Sequence, residues 1–192
     1  MSDSVVSIHS ASGTLAKQVI QQAPEGMLIA PVWKRIAAFM LDTLLITILL
    51  SFITQLRGGQ PITAVLLQFS YFSEGPRYIA FYLMNWIIFF VSFWLYFKYT
   101  GRAYSRSYGQ RAFRIAIVHD NGTVLEQHHW GNRAFDKLKY LIPIIGWLIF
   151  GLRDAYRAQS KDAEYRTSVD VKNHTVAAVD WSLPSETRFK LK

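Results

Sequence analysis

The chain has 192 residues, 51% hydrophobic and 15% aromatic, with 21 Lys and Arg against 13 Asp and Glu for a formal net charge of +8. That length predicts one domain with tails. Cysteine is absent, which excludes disulfides, thiolate catalysis and cysteine metal sites.

Residues 1–30 read as a polar segment without the apolar core and basic leader of a signal peptide or the arginine richness of a transit peptide. A short helix is expected at Gly13–Gln22, stopped by Pro24 and Gly26. The apolar run Trp33–Leu56 follows, and within Ile36–Leu56 the only charge is Asp42. Its length matches the ~20 residues of a membrane-spanning helix, expected to act as an uncleaved insertion signal. Arg35 and Asp42 are seven residues apart, two turns along one helix face, so Asp42 lies about 10 Å deeper than Arg35. A carboxylate at that depth costs roughly 2.5–3.5 kcal/mol unless it faces protein or water. Two roles stand open for Asp42. It exchanges a proton for Na⁺ or K⁺, with Thr43, Thr47, Ser51 and Asn85 as neutral oxygens, or it pairs with Arg133 or Arg153 to lock a later segment onto this helix. A single carboxylate is a thin basis for holding a hard cation.

A second span is predicted over Tyr78–Phe97, uncharged and flanked by Arg77 and Lys98. Loop Arg57–Arg77 has two basic residues, whereas Lys98–Lys139 has eight basic residues against three acids. The positive-inside rule therefore places that stretch and the N-terminus in the cytoplasm. The third apolar stretch, Tyr140–Leu152, makes a helix of roughly 20 Å, short of a ~30 Å hydrocarbon core. It either crosses with Lys137 and Lys139 snorkelling, or forms a re-entrant hairpin of Trp130–Ile142 and Ile144–Arg157 bent at Pro143. The basic tail favours the hairpin. RAFRIAIVHDNGTVLE reads as a β-hairpin with an Asp120-Asn121-Gly122 turn, and Arg166–Val171 and Thr175–Trp181 read as strands that join Phe113–Val118 in a small sheet. The final SLPSETRFKLK reads as a loose basic tail suited to anionic lipid.

Arg35, Ala38 and Asp42 form an R-x-x-A-x-x-x-D pattern at the start of the first span. A second block runs from Ser107-Tyr108-Gly109-Gln110-Arg111 to Val118, followed by the Asp120-Asn121-Gly122 turn. In a third, Asp162 and Thr167 lie five apart with Arg157 upstream. Together these resemble the RDD family of small integral membrane proteins, named for one arginine and two aspartates. The departures are Gln110 for a usual lysine, Lys161 for a usual histidine, and Tyr165-Arg166 for an Ala-Gly pair. A proton-carrying histidine at position 161 is thereby absent. The resemblance implies an ion-handling or structural role for Arg35, Asp42 and Asp162, supported by Ser107, Gly109, Arg111, Arg157 and Thr167. Antiport has been proposed for some members, and others look like partners of larger membrane machinery. Arg35 is expected to meet Asp162 or Glu164, or a phospholipid headgroup.

His128 and His129, beside Trp130, have no carboxylate or third histidine at ligand spacing and read as an interfacial polar turn, so no metal and no cofactor is expected. Ser107–Arg111 lacks the glycines and lysine of a phosphate loop. The basic loop suits lipid phosphate rather than nucleic acid, and no nucleophilic triad is apparent. The expectation is an α-helical membrane protein with two transmembrane helices, a short third hydrophobic hairpin or helix, and a small cytoplasmic β-structure. Its segments are 1–30, 31–171 and 172–192. The expected function is a non-catalytic accessory or scaffold subunit in a bacterial inner membrane. It would contact anionic lipid headgroups and a membrane-protein partner or further copies through the aromatic second helix. The alternative is an oligomeric cation/proton antiporter using Asp42.

Overall fold

The computed structural model describes residues 6–7, 24 and 26–191, so the helix expected at Gly13–Gln22 lies outside the described residues. Two long helices dominate: α1 (Val32–Leu56) and α3 (Pro76–Tyr104). Only 17% and 22% of their most apolar windows is buried. Soluble core helices bury most of such a surface, whereas these leave it outward as membrane-crossing helices do. Between them lie α2 (Ile62–Leu67) and a 3₁₀ turn at Phe69–Phe72.

α3 packs through Phe89, Phe93 and Phe97 against Ile46, Ala134 and Leu141. Ala134 and Leu141 belong to the third apolar element, which is the bent hairpin and not a straight helix. α5 (His129–Lys137) continues as a 3₁₀ turn to Leu141; a six-residue π-helical stretch, Gly146–Gly151, then leads into α6 (Leu152–Arg157). The reversal falls at Pro143, with Ile144 in the left-handed region (φ 62°). α5 lies flush on α3 because position 101 is glycine; a Cβ there would fall onto the Trp130 ring.

α4 (Tyr108–Ala112), β3 (Ile115–His119), α7 (Ser168–Lys172), β4 (Thr175–Val179) and α8 (Ser185–Lys190) make the polar part. With β1 (Val6–Ser7) and β2 (Leu28–Ile29) the strands form a sheet of order β1-β2-β4-β3, antiparallel throughout. Both faces of the sheet are covered. Ile115, Ile117, Ala177 and Val179 pack on Ala38 and Trp130, while Ala116, Val118, Val176 and Ala178 pack on Met27, Leu183 and Leu191. That double burial explains the unbroken apolar runs of β3 and β4.

Four sequence expectations change here. Arg166–Val171 is not a strand: Thr167 caps α7 with a reciprocal bond to Asp170 at the third helical position, and that local pairing outweighs the Val169/Val171 alternation. The second arm of the expected hairpin makes only one bridge, Val118 to Val124. The final segment is not loose, because α8 forms, Leu183 and Leu191 enter the core, and Thr187 donates to the Gly122 carbonyl at 2.9 Å. The boundary at 172 is crossed by the β3–β4 pairing.

β3 and β4 belong to a repeated unit. Residues 105–120 and 165–180 correspond in backbone at a spacing of sixty, although only Arg106/Arg166 and Asp120/Asp180 are identical, with Ser107/Thr167 alike. Ser105 and Tyr165, then Arg114 and His174, are left-handed at φ 56°, 55°, 55° and 50°. Ser107 and Thr167 each cap a five-residue helix through a capping box with Gln110 and Asp170. The ladder from Ile115↔Val179 to His119↔Thr175 maps onto itself when the copies are exchanged. So do two ion pairs, Arg106 to Asp180 and Arg166 to Asp120. The two units thus face each other across a pseudo-twofold axis at Ile117–Ala177.

Candidate functional site

Three carboxylates are buried where the helices meet this paired unit. Asp42, 1% exposed, accepts hydrogen bonds from the Tyr96 hydroxyl (2.6 Å), the Ser107 hydroxyl (2.6 Å) and the Gly109 backbone N–H (2.7 Å). Ser107 and Gly109 stand at the capped start of α4, which presents unpaired N–H groups to a carboxylate. Position 109 is glycine because a Cβ would run into the Ala38 carbonyl and the Asp42 carboxylate. Three donors on two carboxylate oxygens meet most of the hydrogen-bonding need of a buried acid. The arginine partner expected for Asp42 is therefore replaced by two hydroxyls and a backbone amide. Arg133 is engaged elsewhere, and Arg153 is exposed.

Asp170, 2% exposed, takes Arg133 at 2.6 Å and Arg35 at 3.3 Å, with the Thr167 hydroxyl donating at 2.8 Å. Arg35 also donates to the Ala30 carbonyl (2.9 Å) and the Ala177 carbonyl (3.2 Å). Burial pushes the Asp170 carboxyl up, but Arg133 and Arg35 outweigh it and hold the group at about 2. The signature arginine thus joins the start of α1 to β4 and α7. Asp162 and Glu164 are not its partners: Asp162 is exposed and Glu164 lies 3.7 Å from Arg166.

Asp154 on α6 accepts from the Ser168 N–H (3.0 Å), the Ser168 hydroxyl (2.6 Å) and the Tyr140 hydroxyl, with Lys139 at 3.2 Å. Despite burial, the Ser168 and Tyr140 bonds hold its carboxyl below the usual carboxylate range. It ties the hairpin to α7 as Asp42 ties α1 to α4. Of the supporting motif, Ser107, Gly109 and Thr167 join these ties, while Arg111 is exposed and Arg157 is half-buried away from them. Sequence reasoning misses Tyr96, Asp154 and Asp170, and it points Arg133 at Asp42 where the structure pairs it with Asp170. The sixty-residue echo of Arg106-Ser107 in Arg166-Thr167, each followed by an aspartate at 120 or 180, is the signal that finds α7 and Asp170.

A cavity of about 330 Å³ lies between α1 and the hairpin, reaching Asp42, Arg133, Lys137 and Asp170, with mostly apolar walls. Lys137 sits 3.9 Å over the Phe97 ring, and Arg133 Nε is buried without a partner among the described residues. No curated protein and no solved structure matches the chain. The model of the RDD family matches residues 29–162, well over half of it, and takes in Arg35, Asp42 and the first repeated unit: the chain belongs to the RDD family.

Proposed function

We propose that the protein is a non-catalytic accessory subunit of a membrane complex, whose spans present a lateral surface and whose paired unit forms a rigid polar platform at one membrane surface. The observation that carries this reading is the use of its buried acids. Asp42, Asp154 and Asp170 each hold one segment against another through several short bonds. Groups committed in this way stabilise a shape and have little capacity left for turnover. Since β2, β3 and β4 share one sheet, the start of α1, the end of α3 and the tail lie on one side of the spans. The excess of basic residues on that side supports reading it as cytoplasmic; in this proposal the membrane is a bacterial inner membrane and Tyr140–Leu152 is re-entrant.

A second reading, cation/proton exchange by an oligomer, draws on the cavity that reaches Asp42 and Lys137. Mild-detergent purification through a non-perturbing tag separates the two. A stoichiometric partner retained by Asp42→Asn supports the subunit; a homo-oligomer alone contradicts it and favours the exchanger.

A further inference from the structure

Of the chain's five histidines, the four among the described residues gather at one place outside the tied acids. His128 and His129 open α5, with ring centroids 4.0 Å apart. Glu126 lies against His128, Oε2 to Nδ1 at 3.2 Å. One ligand atom from each of Glu126, His128 and His129 lies within 4.8 Å of the others. The His119 ring, at the end of β3, stands edge-on to His129 at 5.1 Å. His119 Nδ1 faces the His174 carbonyl at 3.4 Å. A ring nitrogen that donates to a carbonyl leaves the other nitrogen free for a metal, the usual orientation of a metal-bound imidazole.

We propose that Glu126, His128 and His129, with His119 as a fourth ligand, form a solvent-facing site for a divalent transition-metal ion of the Zn²⁺ class. Imidazole with one carboxylate suits Zn²⁺, Ni²⁺ or Cu²⁺, whereas Ca²⁺ and Mg²⁺ call for oxygen shells. Metal–nitrogen bonds near ~2.0–2.1 Å require these side chains to draw inward. Glu126 and His128 are exposed, and their rotamers are free to do so. The sequence expectation of no ligand set at His128-His129 left out Glu126, two residues before, and the fold returns His119 to the start of α5. Bound metal would join the end of β3 to α5, the helix that leads into the hairpin.

The test uses full-length protein in detergent, carrying a tag without histidine, titrated with Zn²⁺ against a chromophoric chelator. The expected result is one ion per chain, with affinity reduced more than about tenfold in Glu126→Gln and about a hundredfold in His128→Ala/His129→Ala, as loss of one or two ligands predicts. Both variants should unfold at the wild-type temperature without metal, and zinc should raise that temperature only in the wild type. Equal zinc affinity in wild type and double variant overturns the site, as does the absence of stoichiometric binding. Should the double variant fail to fold, Glu126→Gln alone decides.

Discussion

The two repeated units share a backbone but divide the electrostatic work. In residues 105–120 the third helical position is Gln110, the following residues carry no buried acid, and the acid comes from outside, as Asp42 of α1. In residues 165–180 that position is Asp170, and the counter-charges come from outside, as Arg35 and Arg133. The first unit meets a span through the Ser107 hydroxyl and the Gly109 backbone amide. The second meets two arginines near the sheet. A carboxylate tied by neutral donors and a carboxylate between two guanidiniums are different solutions to burying an acid. The same fold supports both because its capped helix start offers N–H groups while its third position accepts either an amide or an acid.

The largest change expected comes from Asp170→Ala. It leaves Arg35 and Arg133 buried without an anion, a loss of about 3–5 kcal/mol for a broken buried pair, seen as loss of monodisperse protein in detergent. Gly109→Val places in the first unit the side chain that the second carries at Val169. The clash with Ala38 and Asp42 should cost more than the roughly 1–3 kcal/mol of ordinary overpacking, while Val169→Gly in the other unit leaves a defect that folds. Asp42→Asn retains an acceptor but turns an amide toward three donors, so a drop of about 1–3 kcal/mol is expected in thermal unfolding.

Acid sharpens the contrast further. The Asp170 carboxyl lies at about 2 in the folded protein, against about 3.9 for an unperturbed aspartate. The group thus contributes about 2 kcal/mol of stability, fully present above pH ~4 and lost as pH falls through ~2. Unfolding midpoints taken from pH 6 to pH 3 should fall less in Asp170→Asn than in wild type, if that variant folds. The smallest effect belongs to the exchanged ion pairs. Double-mutant cycles on Arg106/Asp180 and Arg166/Asp120 should give couplings of about 0.5–1 kcal/mol, similar in the two units. A coupling in one unit alone breaks the symmetry argued for them.

Much of this was legible from residues alone. The spans declare themselves because a 20-residue apolar run has few alternatives, and the hairpin is foreshadowed by Pro143 inside a stretch shorter than either span. β3 and β4 follow from β-branched runs beside turn residues. Asp42 stands out by its cost, but its partners lie 54 to 67 residues away, a distance that no local pattern encodes. α7 was read as a strand because Val169 and Val171 alternate, although Thr167 and Asp170 sit at capping-box spacing. The resemblance points Arg35 at Asp162 because that residue matches the aspartate of the family's third block, eight residues short of the acid that receives it. The capping-box spacing and the sixty-residue echo of Arg106-Ser107 together point to α7 and Asp170.

The central claim is that Asp42 is a tie and not an ion-exchange group. Liposomes containing purified protein, assayed for proton movement driven by Na⁺ or K⁺ gradients, test it most directly. Wild type and Asp42→Asn should be equally silent, both matching empty vesicles. Cation-driven proton movement in wild type that Asp42→Asn abolishes would contradict the account and make the carboxylate a working group.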